Sequence, residues 1–290
     1  MLAQQTINGI AIGGIYALIA VGFSLIYSIL RFTNLAHGSL LAVGAYAGLL
    51  GAGLLRLGLA GSIAVAGAAT AIVAALAEKG AFRPIRLREI PIVYFLISSM
   101  AVSLLFENLL LVGAGATFYV YPRLVTSTPL IQWPVTVGYL DFLMMLTACL
   151  ALVALNFIIY GTKIGRAMRA ASYDLRVAAL MGVDTDRIVT FAFLMAGCLA
   201  GIAGVFLGIK YSVYPQLGQL ILKGFVAAIF GGLGSVAGAV VGGVVLGLIE
   251  IMLVAYVSSA FSPVFIYALL IFILLVRPSG LLGRFTQEKA

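Results

Sequence analysis

The stretch TINGIAIGGIYALIAVGFSLIYSIL, Thr6 to Leu30, contains no charged residue in 25 positions. A helix of about 20 apolar residues crosses a hydrocarbon core of ~30 Å, so this run is long enough to span a bilayer. Similar runs recur along the 290-residue chain, at 34–54, 60–77, 91–112, 139–160, 188–209, 218–233, 235–257 and 262–276. Hydrophobic residues make up 63% of the sequence and charged ones 9%, with mean hydropathy +1.20. A soluble domain carries about 25% charged residues. The pattern predicts an all-α polytopic membrane protein with eight or nine transmembrane helices, because the Gly/Ala-rich stretch Leu35–Ala77 divides in two ways. Continuous apolar runs, as opposed to alternating ones, argue against a β-barrel. MLAQQTINGI has no basic leader and no cleavage site, and reads as mature sequence.

The net charge of +8 arises between the apolar runs. Segments 78–90 and 161–187 and the tail (Arg277, Arg284, Lys289) hold 12 of the 17 basic residues. Segment 113–138 holds only Arg123 among them, with the aromatics Tyr119, Tyr121 and Trp133, and Tyr139 just beyond. The positive-inside rule puts the first three on the cytoplasmic side and 113–138, with the N-terminus, outside. That rule explains the basic residues without nucleic acid. The outward aromatics read as an interfacial belt or as part of a docking surface. Cys149 and Cys198 lie in apolar runs with no metal-binding spacing, so neither a metal site nor a disulfide framework is expected.

Thirty-four glycines cluster in small-xxx-small pairs such as Gly9/Gly13, Gly197/Gly201, Gly204/Gly208 and Gly243/Gly247, which let membrane helices approach closely. Two Gly-rich interruptions, TNLAHGS (33–39) and FGGLGS (230–235), fall in opposite halves. Paired interruptions point to broken helices lining a midplane pathway. Thr33, Asn34, His37 and Ser39 form a polar cluster there. Either they cap a helix start, or the helix N-terminus receives a substrate carboxylate, with Asn34 and His37 as the candidate residues. Glu107, inside the run 91–112, is a third candidate, since a carboxylate in a membrane is costly. It could equally be paired, or lie near an interface.

GRAMRAASYDLRVAALMGVDTDR, Gly165 to Arg187, carries four arginines and three aspartates. Ile164, Met168, Ala171, Leu175, Ala179 and Gly182 share one helical face, and Arg166, Arg169, Tyr173 and Arg176 another. Gly182 is a stop signal and Asp184 caps the next helix. A solvated loop, a helix lying on anionic lipid and a docking helix for a cytoplasmic protein all fit. The sequence contains no GxxxxGK[ST], HExxH, GxSxG or CxxC, so it offers no nucleotide site, cofactor or catalytic constellation.

Five blocks in order resemble the LivH-type permease subunit of branched-chain amino acid ABC importers. They are GGIYALIAVGFSLIYSILRFTNLAHGSLLAVGAY (13–46), FRPIRLREIPIVYFLISSMAVSLLFENLLLVGAG (82–115), ASYDLRVAALMGVDTDRIVTFAFLMAGCLAGIAGVFLG (171–208), FVAAIFGGLGSVAGAVVGGVVLGLIE (225–250) and RPSGLLG (277–283). The sequence departs from the family pattern at Leu35, Ser39 and Glu107, which bears on substrate more than on class. The resemblance implies a single permease domain over 1–290 in a bacterial inner membrane, with a periplasmic loop at 113–138. It implies two cytoplasmic ATPases docked on 161–187, a second permease chain, a solute-binding protein, and leucine, isoleucine or valine as cargo. On that analogy Arg166, Arg169, Asp174, Arg176, Ala178 and Gly182 form the coupling element. Urea, amides or other amino acids remain alternative cargoes. An ion-coupled carrier and a membrane scaffold remain alternative classes.

Overall fold

The computed structural model describes residues 2–124, 129–131, 136–277 and 279–283. Trp133, Arg284 and Lys289, singled out above, lie outside the described residues. The helices are α1 (Leu2–Leu30), α2 (Ala36–Gly53), α3 (Leu59–Ala77), α4 (Arg83–Leu87), α5 (Ile92–Ala114), α6 (Tyr139–Gly161), α7 (Lys163–Tyr173), α8 (Leu175–Leu180), α9 (Thr185–Tyr211), α10 (Ile221–Gly231), α11 (Val236–Tyr256) and α12 (Ser262–Val276). A π-helical turn, Glu78–Phe82, joins α3 to α4, and a 3-10 turn, Pro215–Leu220, leads into α10. A small antiparallel hairpin, β1 (Pro129–Ile131) with β2 (Val137–Gly138), precedes α6.

Among the described residues, six helices are long and apolar enough to cross a membrane: α1, α3 continued to Leu87, α5, α6, α9 and α11. The chain is an all-α multi-pass membrane protein. The expected eight or nine spans are therefore not all of full length. The apolar runs at 34–54, 218–233 and 262–276 correspond to α2, α10 and α12, with 18, 11 and 15 residues. An 11-residue helix covers about 17 Å, little more than half of a hydrocarbon core.

Helix α1 is buried around most of its circumference from Gly9 to Ile29, as a helix apolar on all faces must be if it forms the centre of a bundle. It runs antiparallel to α11. A Cβ on Gly13 would lie 2.9 Å from the Val244 Cα, and Gly243 and Gly247 face the backbones of Ala17 and Gly13. Apolar side chains gain nothing by leaving lipid for one another, so such backbone contact is what binds membrane helices. On the other side α9 packs through Gly197 and Gly201 against Thr70, Ala71, Ala66 and Gly67 of α3, and through Gly204 against the Leu41 carbonyl of α2.

The two ends differ in charge. At one end Arg31 donates to the Ser172 carbonyl at 3.0 Å, Arg176 pairs with Glu89 at 3.1 Å, and Arg83 and Arg86 both reach Asp186. The basic segments 78–90 and 161–187 therefore share an end, as their charge suggested. Residues 279–283 join them, packed on Gly232, with the Leu281 and Leu282 amides donating to the Phe230 and Gly231 carbonyls at 2.9 Å. At the opposite end Gln4 exchanges two hydrogen bonds with Thr136, at 2.7 and 2.9 Å, so the start of α1 sits with segment 113–138. Tyr119 and Val213 form a backbone bridge, and the Tyr121 hydroxyl donates to the Ala45 carbonyl at 2.7 Å. Burial pushes that hydroxyl's pKa up.

Candidate functional site

Two chain reversals bring short helices together inside the bundle. After α1, Arg31 adopts a left-handed conformation with φ 56° and turns the chain back into the membrane layer. Phe32 packs on Phe82 and Phe95, with ring centroids 5.5 and 5.0 Å away, and the Leu35 amide donates to the Ser99 hydroxyl at 3.2 Å. Helix α2 then starts well inside. The His37 ring faces Gly22, where a Cβ would approach it to 2.8 Å. Gly22 precedes the end of α1 by eight residues, so α2 begins about 12 Å inward from the basic end.

The second reversal follows α9. Ser212, with φ 76°, breaks the helix. The chain re-enters through the 3-10 turn and begins α10 at Ile221. Gly38 and Gly218 touch backbone to backbone: a Cβ on either would lie 2.6 Å from the carbonyl oxygen of the other. From this junction α2 runs away from the basic end and α10 runs toward it. The interruption that mirrors TNLAHGS is therefore 212–220. FGGLGS is the turn at the basic end of α10, with Gly232 and Gly234 at φ 111° and 82°.

Both helix starts carry partial positive charge. Asn34 Oδ1 accepts from the Ala36 amide at 3.2 Å, so the expected capping is present in part. Asn34 Nδ2 and, on α1, Ser24 Oγ are buried without a hydrogen-bond partner, and the His37 ring is directed at the Ile19 carbonyl. Buried polar atoms cost free energy unless paired, so this cluster is chemically incomplete as it stands. Glu107 does not join it. Ser99 is the α5 residue beside Leu35, and Glu107 is eight positions farther along, about 12 Å.

Two charged clusters join residues that the sequence does not pair. Lys223, on α10, forms an ion pair with Glu250 of α11 and lies over the Tyr16 ring, 5.8 Å from its centroid. Glu250 Oε2 is buried without a close hydrogen bond, and the Tyr16 hydroxyl lies beside the Glu250 carboxylate. At the basic end Glu78, fully buried, pairs with Arg86 at 2.9 Å and accepts from the Thr190 hydroxyl at 2.8 Å. Arg86 and Arg83 both bind Asp186, at 2.8 and 2.7 Å, tying the base of α3 to the start of α9.

Segment 161–187 is two helices and not one. Asp174 is extended, and its Oδ1 accepts from the Arg176 and Val177 amides at 2.7 and 3.0 Å, starting α8 as a new helix. This shifts the face: Met168, Ala171 and Ala178 point inward, while Ala179 is exposed. Ala178 is thus a packing residue, not a contact surface. Arg169 donates to the Ile159 carbonyl and stacks over Tyr160, which commits it to its own α6. Arg166 and Arg176 remain exposed. Gly182, at φ 83°, makes the turn after α8, and Asp184 caps α9 by accepting from the Arg187 amide at 3.1 Å. Apolar side chains protrude most: Leu180 is 87% exposed and Met181 80%. A cleft of about 420 Å³ beside them is lined by Ile164, Ala167, Val183, Ile188 and Phe191.

Residues 5–274 match the family model described as branched-chain amino acid transport system / permease component. The chain is 36% identical to the high-affinity branched-chain amino acid transport system permease protein LivH of Escherichia coli K12, covering 99% of this chain and 97% of that protein. Identity to the corresponding permease BraD of Pseudomonas aeruginosa is 32%, over 99% and 97% of the two chains. Identity to a probable LivH of Methanocaldococcus jannaschii is 30%, over 95% and 91%. No solved structure matches the chain. With a family model and full-length relatives in agreement, the chain belongs to the branched-chain amino acid transport permease family.

Proposed function

We propose that this chain is the membrane-spanning permease of an ATP-driven importer that moves leucine, isoleucine or valine inward by alternating access. The observation that carries this reading is the junction of α2 and α10. Two helix N-termini meet inside the bundle around His37 and Asn34, whose buried Nδ2 lacks a partner. Half-helix starts of this kind suit the carboxylate of an amino acid. Glu107 has no part in the pathway on this reading.

The whole chain acts as one transmembrane domain in a bacterial inner membrane. Its nine apolar segments comprise six full spans, α2 with 18 residues, the half-helix α10, and α12. The basic end faces the cytoplasm and 113–138 the periplasm. Two ATPases dock on α7–α8, where Arg166 and Arg176 supply charge, Leu180 and Met181 supply apolar contact, and Asp174 and Gly182 set the shape. A second permease chain completes the path, and a solute-binding protein delivers cargo. ATP binding and hydrolysis give the cycle its direction by favouring inward- and outward-open states unequally.

The test is labelled-leucine uptake in cells deleted for this chain and complemented with it, together with identification of the proteins that copurify with it. Leucine uptake that depends on the chain, with two ATPases in the complex, supports the reading. Chain-dependent uptake of urea or an amide, with none of leucine, replaces the cargo. Uptake that collapses with an ionophore, by a chain that purifies without an ATPase, replaces the mechanism.

A further inference from the structure

We propose that Lys223, Glu250 and Tyr16 form a subsite for the zwitterionic head of an amino acid, Lys223 taking the carboxylate and Glu250 the ammonium group. The inference rests on the reading of the chain as an amino-acid permease. Ionisable side chains inside a membrane protein are costly and mark pathways by default. This pair is also incomplete. Lys223 satisfies one carboxylate oxygen of Glu250, while Glu250 Oε2 is buried without a close hydrogen bond, with the Tyr16 hydroxyl beside the carboxylate. An ion pair serving only to hold α10 to α11 is favourable when its remaining atoms are also bonded, and these are not.

The cluster is not sealed: the Lys223 side chain keeps 22% of its surface exposed and that of Glu250 9%. Tyr16 lies six residues from Gly22 on α1, so the pair sits about 9 Å farther from the basic end than His37. The chemistry selects the ligand class. A lone cation entering here displaces the Lys223 ammonium from Glu250, and a lone anion displaces Glu250 from Lys223. A zwitterion gives each side chain an opposite charge and adds no net charge to the membrane interior. Its ammonium donates to Glu250 Oε2. Its carboxylate accepts from Lys223, while the Tyr16 hydroxyl stays on Glu250.

The test is leucine uptake by cells whose only copy of this chain carries Lys223→Met with Glu250→Gln, with membrane content read by immunoblot. Removing both charges spares the bundle an unpaired ion, so a purely structural pair predicts uptake near wild type. The subsite predicts normal membrane content and a loss of about tenfold or more, from two lost charge-assisted contacts. Uptake within twofold of wild type overturns the proposal. Should the double variant be missing from the membrane, Glu250→Gln alone decides, and unchanged uptake then overturns it. Wild-type cells that import no zwitterionic amino acid sink the functional reading and this inference together. Wild-type import with an unaffected variant sinks this inference alone.

Discussion

Substituting Arg86 by methionine breaks the network that ties α3 to α9 at the basic end, and the structure sets the size of the loss. Arg86 reaches Glu78 at 2.9 Å and Asp186 at 2.8 Å with 14% of its side chain exposed. Without it, Glu78 keeps only the Thr190 hydroxyl while remaining fully buried. Removing one member of a buried ion pair costs about 3–5 kcal/mol, because the stranded charge cannot hydrate. Glu78→Gln is milder, about 1–2 kcal/mol, since Arg86 retains Asp186. The double variant leaves no stranded charge: Gln replaces the buried carboxylate, and Asp186 keeps two bonds from Arg83, at 3.1 and 2.7 Å. It is therefore expected to resemble Glu78→Gln and to be more stable than Arg86→Met alone. At about 2–4 °C per kcal/mol, Arg86→Met lowers the melting midpoint by on the order of 10 °C. The assay is the monodisperse fraction of detergent-solubilised protein after heating, followed by gel filtration. A double variant that melts below Arg86→Met, with the two losses adding, would refute the coupling.

Three further outcomes are expected. Asp174→Ala removes both side-chain bonds that start α8, costs that helix about 1 kcal/mol, and lowers ATPase copurification while membrane content stays at the wild-type level. Gly22→Leu drives a side chain into the His37 ring, displacing it from the α2–α10 junction. Leucine uptake should fall severalfold, and uptake equal to wild type at equal membrane content counts against the junction as pathway. Gly247→Val inserts a side chain where α11 meets the Gly13 backbone, separates α1 from α11 at a cost of about 1–3 kcal/mol, and shows as a lower melting midpoint.

Much of the architecture was legible because the physics behind it is local. Run length and charge asymmetry gave the membrane class and put 78–90 and 161–187 at one end. Asp184 was readable as a cap because it follows the Gly182 stop and stands one turn before an apolar run. The second chain reversal was not legible. Glycine density pointed to FGGLGS, yet those glycines make a turn at the basic end. The reversal falls at SVYPQLGQL, where only Pro215 and Gly218 punctuate the chain, and its depth is set by contact with Gly38. The same dependence hid the Lys223–Glu250 pair, since nothing local to either residue sets α10 against α11. Within 161–187 the helical period carried straight through Asp174, whereas its side chain supplies a competing cap and ends the repeat. That one residue turns Ala178 inward and leaves Leu180 and Met181 outside.

The contact between Gly38 and Gly218 also fixes an order of events during synthesis. The two glycines are 180 positions apart, and at roughly 5–20 residues per second a ribosome needs about 10–40 s to pass from one to the other. For that interval α2 stands in the nascent chain with the face that later meets Gly218 uncovered. Helix α10 then waits in turn for Leu281 and Leu282, about 50 positions further on, to bond its last carbonyls. The centre of this protein thus stays open for much of its synthesis, and the membrane insertion machinery must shelter the uncovered face of α2 until Gly218 arrives.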